Sequence, residues 1–186
     1  GLSVYNVKDN IVALATTPGR SAINVIRVSG PSVKTLVESL FLKTKKKLKP
    51  NYCLVAELFC PSTKSFLDQS VVSFFKGPKS YTGEDSFEVY AHGGLGVMSS
   101  FIRAFKSVGF EEAVGGEFTK RAFQNGRINL LKAESISDLI SSETEIQRQQ
   151  AVNIMSGKIS DKFEMMRNNL LKILSYVEAK IDFPED

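Results

Sequence analysis

The chain has 186 residues, of which 42% are apolar and 24% charged, with 13 glycines and six prolines, a composition that fits one or two globular domains. Cys53 and Cys60 are its only cysteines, so a disulfide-stapled secreted scaffold is excluded and a reducing compartment fits. If both lie on one strand, their odd spacing turns the thiols to opposite faces, where they share neither a bridge nor a metal. No apolar run approaches the ~20 residues of a membrane span and no basic-then-apolar leader opens the chain, which reads as soluble and without a targeting signal.

The net charge of +4 is uneven, because residues 1–50 hold nine Lys/Arg against two acids while the remainder holds fifteen against eighteen. Most of the excess sits in Lys43, Lys45, Lys46, Lys47 and Lys49, a run that is read either as a solvated loop or as a patch facing RNA.

Up to about residue 118, β-rich runs alternate with turn signals. Ile11 to Ala15, Ile23 to Val28, Cys53 to Phe59, Gln69 to Phe75 and Phe87 to Ala91 are the predicted strands. A helix follows Gly30-Pro31, with Val33, Leu36, Val37 and Leu40 at helical spacing. A second begins after Gly93-Gly94 and carries Val97, Met98, Phe101, Ile102, Phe105 and Val108 on one stripe before Gly109 stops it. Beyond residue 118 strand signals vanish. Phe118 to Gln124 is a short helix closed by Asn125-Gly126, and Lys132 to Met155 is a longer one with Ala133, Ile136 and Ile140 inward. Ser156-Gly157 then separates a last helix, whose Ile159, Phe163, Met166, Leu170, Ile173, Val177 and Ile181 form a seam for packing against other helices. The fold class is α+β, a mixed sheet with flanking helices over 1–118 followed by an α-helical segment over 119–186.

His92 is the only histidine, so most acid–base sites and any zinc cluster lack their commonest residue. No serine stands in a nucleophile elbow, and no catalytic residue or metal ligand is assigned. The His92-Gly93-Gly94 turn is read either as close packing between strand and helix or as a donor for an anion. No Gly-x-x-x-x-Gly-Lys-Ser/Thr loop occurs, so a P-loop nucleotide site is absent from these residues and any nucleotide chemistry lies elsewhere.

Two charges break the strand pattern. Alternation places Arg27 on one face with Ile23, Val25 and Ser29, and a guanidinium among apolar neighbours demands a partner or a ligand. Glu88 lies mid-strand between Phe87 and Val89, where glutamate is depleted; it is either a solvent-facing charge or a carboxylate accepting the paired N–H donors of an aminopyrimidinone-like edge. The loop from Gly77 to Asp85 is either a double-turn connector anchored by Tyr81 or a functional loop. Thr17 to Ser21, with Arg20, is similar. Lys120, Arg121 and Arg127 flank Phe118 and Phe123 in a capped helix or an anion-facing element.

Taken in order, Asp9-Asn10-Ile11-Val12-Ala13, Thr17-Pro18-Gly19-Arg20, Ile26-Arg27-Val28-Ser29-Gly30, Ser80-Tyr81-Thr82-Gly83-Glu84-Asp85, His92-Gly93-Gly94, Gly116-Glu117-Phe118-Thr119, Arg121-Ala122-Phe123, Asn125-Gly126-Arg127 and Ile181-Asp182-Phe183-Pro184-Glu185 closely resemble the MnmE (TrmE) family of tRNA-modification GTPases. The resemblance covers nearly the whole chain and corresponds to the family's N-terminal domain and the start of its helical domain. It places the family's GTPase domain, and with it any GTP, magnesium or potassium site, beyond Asp186. It implies a domain similar to the folate domain of glycine-cleavage aminomethyltransferases. It further implies a homodimer and a cytoplasmic location, or the mitochondrial matrix in a eukaryote. Family members work with tRNA and a flavin-dependent partner, MnmG (GidA), to build an aminomethyl-type group on the wobble uridine. The implied cofactor is a tetrahydrofolate one-carbon derivative, 5-formyl- or 5,10-methylene-tetrahydrofolate, and by motif its contacts map to Arg27, Glu88 and Arg127. Gly115, Ser21 and Asn129 depart from the family pattern, and Asn129 removes a carboxylate that could partner Arg127. The competing expectation is a dimerising tRNA-binding module with no small-molecule site, using the lysine run.

Overall fold

The computed structural model describes residues 9–15, 23–44, 46–92 and 94–182, with the side chains of residues 40, 157–162 and 177–182 left aside. Seven strands form one sheet: β1 (Ile11–Leu14), β2 (Ile23–Ser29), β3 (Leu42–Lys43), β4 (Cys53–Phe59), β5 (Phe66–Phe75), β6 (Ser86–His92) and β7 (Glu111–Glu112). Their order is β3-β4-β5-β6-β2-β1-β7. All neighbours are antiparallel except β1 and β7, which run parallel and make the sheet mixed. The five long strands match the β-rich runs of the sequence. The two-residue edge strands β3 and β7 carried no pattern, because two residues cannot display an alternation.

Alternation along each strand sends one set of side chains to a single core. Val12, Leu14, Ile26, Val28, Leu58, Val72, Phe74, Phe87 and Val89 are buried there. They are covered by α2 (Leu95–Lys106), whose buried Met98, Phe101, Ile102 and Phe105 match the predicted stripe. The helix after Gly30-Pro31 begins at Val33 (α1, Val33–Leu36) and continues as a π turn over Val37–Phe41. The π turn brings Phe41 over Phe105, with ring centroids 4.3 Å apart.

The opposite sheet face is organised in rows. Ile11, Ser29 and Ser86 form a buried row. Next come Ala13, Arg27, Glu88, Ser73 and Cys53, adjacent in register across five strands. Arg27 therefore lies, as alternation placed it, on one face with Ile23, Val25 and Ser29, and that face is the one away from the α2 core. β2 is apolar on both sides, so alternation alone could not tell which side is the core.

After residue 113 the regular elements of the described residues are helices. α3 (Glu117–Gln124) is followed by α4, one continuous helix over Ala133–Asp182. Helix persists through Ser156-Gly157, which corrects the predicted break: one glycine costs only about 1 kcal/mol in a helix, too little to stop it without a proline or a capping turn. Ile136 and Ile140 are half-buried as expected, whereas Ala133 is exposed. The wall that α4 presents consists of Ile140, Glu143, Ile146, Gln147 and Gln150; Ala133, two turns before Ile140, shares its azimuth but is the first residue of the helix. Farther along, Phe163, Met166, Leu170 and Ile173 of the predicted seam are exposed; the side chains of Ile159, Val177 and Ile181 lie outside the described residues, as do Thr17 to Ser21.

Candidate functional site

The 77–85 loop is built by hydrogen bonds, not by apolar packing. Thr82 Oγ1 and Ser29 Oγ are 2.7 Å apart, and Ser29 Oγ donates to Glu84 Oε1 at 3.0 Å. The loop is fastened to α3 and the turn after it. The Tyr81 and Thr119 hydroxyls are 2.7 Å apart, Asn125 Nδ2 donates to the Thr82 carbonyl at 2.7 Å, and Arg127 Nε donates to the Ser80 carbonyl at 3.0 Å. Gly83, with φ +81°, is required where the loop crosses that turn, because a Cβ there would stand 2.8 Å from Asn125 Cβ.

Beneath the loop sits Arg121, 1% exposed. Its guanidinium donates to Glu117 Oε2 at 2.7 and 3.0 Å, to both oxygens of Glu84 at 3.0 and 3.1 Å, and to the Asp9 carbonyl at 2.7 Å. A guanidinium removed from water survives when such bidentate partners use its donors. The sequence placed Arg121 only among basic residues of an anion-facing or capped element. The structure makes it the internal tie between loop, sheet and α3.

On the half-buried row, Arg27 Nε donates to Glu88 Oε1 at 3.0 Å, with side-chain exposures of 30% and 17%. This is the partner that periodicity demanded for Arg27. Tyr90 OH donates to the other oxygen of Glu88 at 2.6 Å, so each carboxylate oxygen is oriented and retains a lone pair for another donor. Burial first, and then the Glu88 carboxylate, push the Tyr90 hydroxyl up to about 12. The guanidinium also lies 5.6 Å from the ring centroid of Phe118, a cation–π arrangement.

Arg27 lines a cavity of about 300 Å³ together with Tyr81, Phe118, Thr119, Glu143 and Gln147. Glu143 Oε2 accepts the Thr119 N–H at 3.2 Å. Burial raises its carboxyl above the usual carboxylate value, while the Thr119 hydrogen bonds and the Arg27 charge pull the other way without cancelling the effect. Arg127 lines a second, shallower cavity of about 340 Å³ with Phe75, Lys79, Ser80, Tyr81 and Ile128. Arg27 and Glu88 are thus brought together, and Arg127 stands apart, connected to them through Tyr81, which lines both cavities. His92 is exposed, with its backbone N–H donating to Asp68 at 3.0 Å, and it lines none of these cavities.

Sequence reasoning missed Tyr90, Thr119, Glu143, Gln147 and Lys79. For the two α4 residues a signal existed: Ile136, Ile140, Glu143, Gln147 and Gln150 continue one helical stripe, and polar residues on an inward stripe mark a site or a buried network. Among the described residues no group of three or more His, Cys, Asp or Glu is arranged to hold a metal ion. No described helix is long and apolar enough to cross a membrane.

A family model described as "GTP-binding protein TrmE N-terminus" matches residues 10–127, and one described as "MnmE helical domain" matches residues 130–186. The chain is similar to the tRNA modification GTPase MnmE of Pelagibacter ubique (strain HTCC1062), 48% identical over 178 residues, covering 95% of this chain and 40% of that protein. Proteins of the same name from Aquifex aeolicus (strain VF5) and Phenylobacterium zucineum (strain HLK1) are 41% and 42% identical over 180 residues, each covering 97% of this chain. The chain spans about 40% of the length of these relatives. With both family models matched in order along it, the chain belongs to the MnmE (TrmE) family.

Proposed function

We propose that this chain is the folate-binding and dimerising part of a GTPase that, with the flavin-dependent protein MnmG, modifies the wobble uridine of tRNA. The ligand is a tetrahydrofolate one-carbon derivative. The observation that carries this reading is the Arg27–Glu88–Tyr90 group: a mid-sheet carboxylate whose two oxygens are aimed by neighbours 3.0 and 2.6 Å away, beside a cavity walled by Phe118 and Tyr81. An aminopyrimidinone edge offers paired N–H donors to such a carboxylate, and aromatic walls suit a flat ring. Tyr81 leads from there to Arg127 and Lys79, two cations suited to an anionic tail. When bound, the folate supplies the one-carbon unit; Glu88 and Arg27 orient the ring, and Arg127 holds the tail.

Dimerisation belongs to the same proposal. Beyond the polar row the uncovered sheet face exposes Ile23, Val55 and Phe66, an apolar surface that a two-fold mate would cover. The division near residue 118 passes through α3, and Arg121 lies beyond it, so we take α3 with the folate-binding unit. A cytoplasmic location, or a mitochondrial one in a eukaryote, is part of this reading.

Calorimetric titration of the 186-residue chain with 5-formyltetrahydrofolate tests the ligand. Glu88→Ala should weaken binding by about 1.5–3 kcal/mol, the range for hydrogen bonds to a charged group. Unchanged affinity in a folded variant removes Glu88 from the site. The same chain, lacking a phosphate loop, should bind no GTP.

A second reading draws on Lys34, Lys46 and Lys47, which line a cavity of about 430 Å³ with Leu42, Thr44 and Leu48. These lysines are suited to tRNA phosphates. Phosphate-driven binding weakens steeply with salt, whereas a pocket ligand held by a few contacts loses much less.

A further inference from the structure

We propose that Gln147 of α4 is a direct ligand contact, its side-chain amide donating a hydrogen bond to a carbonyl or carboxylate oxygen of the molecule bound beside Arg27. The inference rests on reading that cavity as a folate site.

Gln147 is anchored at one end only. Its Oε1 accepts the Gly116 N–H at 3.0 Å. That bond fixes the orientation of the amide, since a flip would set an NH2 against an N–H. Nε2 must therefore point the other way, and there it is buried without a hydrogen-bond partner, the one such side-chain atom among the described residues. Buried polar atoms in folded proteins are almost always paired, and an orphaned donor calls for a missing acceptor.

The surroundings place that acceptor in a cavity. Gln147 lines the Arg27 cavity and also a second one of about 330 Å³ bounded by Val12, Ile102, Ala151, Ile154 and Met155. On the α4 side Leu139 and Ile146 flank Gln147 in the first, and Ala151, Ile154 and Met155 line the second. Among the other polar side chains of the first cavity, Arg27 is bonded to Glu88, Tyr81 to Thr119, and Glu143 to the Thr119 N–H, and the exposed Ser142 lies on the same wall as Gln147. A ligand entering beside Arg27 thus meets, on the sheet side, the guanidinium that is bonded to Glu88 and, on the helix side, Ser142, Glu143 and the Gln147 amide, whose Nε2 is the buried donor still without an acceptor. An amino-oxo heterocycle with a further carbonyl has this polarity.

Two oxygens of the folate could supply the acceptor, the formyl oxygen or one on the common skeleton. The test uses Gln147→Glu in the 186-residue chain, which keeps an acceptor for Gly116 while replacing the donor by an acceptor. Calorimetry with 5-formyltetrahydrofolate and with unsubstituted tetrahydrofolate is compared with the urea midpoint of the same variant. We expect affinity to fall at least tenfold with the midpoint little changed. Loss confined to the formyl compound assigns the formyl oxygen, and equal loss assigns the skeleton. If Gln147→Glu does not fold, Gln147→Met, which removes the donor at similar length, gives the same comparison. Wild-type binding that is lost in Glu88→Ala but unchanged in the Gln147 variant overturns this inference and leaves the folate reading standing. Absence of binding to the wild-type chain overturns both.

Discussion

Replacing Arg121 by methionine tests whether the loop–α3 junction is held electrostatically. Methionine has similar length and fills the space with apolar atoms, so cavity formation is a minor part of the outcome. What it removes is the cation that, among the described residues, pairs with both Glu84 and Glu117, whose side chains are 11% and 7% exposed. Stripping one partner from a buried ion pair costs about 3–5 kcal/mol because the remaining charge is left uncompensated. Here two carboxylates are orphaned by one change, so the upper part of that range is expected, a third or more of the ~5–15 kcal/mol that holds a typical domain. The chain has no tryptophan and five tyrosines, so urea unfolding is followed by tyrosine fluorescence together with near-ultraviolet dichroism. Adding Glu84→Gln and Glu117→Gln to Arg121→Met should recover about half the loss, since the penalty lies in unpaired charge. A loss below about 1 kcal/mol for the single variant, or a triple variant no more stable than the single, refutes this account.

Gly116→Ala should destabilise by about 2 kcal/mol or more, combining a left-handed backbone penalty with overpacking, because Gly116 has φ +73° and its Cβ would stand 2.6 Å from Ile140 Cγ2; the urea midpoint measures it. Glu143→Gln should be more stable than wild type at neutral pH. Burial raises the Glu143 carboxyl above 4.5 in the folded state, so the folded chain holds this proton more tightly than the unfolded one. The resulting stabilisation is complete below about pH 4.5 and is lost as pH rises through the folded value; the advantage of the amide must vanish in acid, and an advantage independent of pH excludes the carboxyl as its source. Val55→Glu, on the exposed apolar sheet face, should convert a sedimenting dimer to monomer, and a dimer that survives it places the interface elsewhere.

The long strands and α2 were legible because their side chains repeat at the periods of strand and helix over four or more residues. The two-residue strands were not, and neither was the continuity of α4, where Ser156-Gly157 is written like a stop but lacks the turn that would enforce one. Arg27 and Glu88 were legible as charges out of pattern, and their mutual bond explains both oddities at once. Glu143 and Gln147 stayed hidden because a polar residue on a helix is ordinary until it is known which face turns inward. Arg121 was visible only as one base among several, since its three acceptors lie at positions 9, 84 and 117.

The continuity of α4 also has a mechanical side. At 1.5 Å per residue its 50 residues reach about 75 Å. The contacts with α2, α3 and β1 involve its first half, through residues such as Ile140, Gln147 and Ile154. The remainder projects about 40 Å as a rod, so a tilt of about 10° at the docked end sweeps the tip through about 7 Å. Any reorientation of the docked half is thereby carried along the rod, and the displacement it produces grows with distance from the cavity.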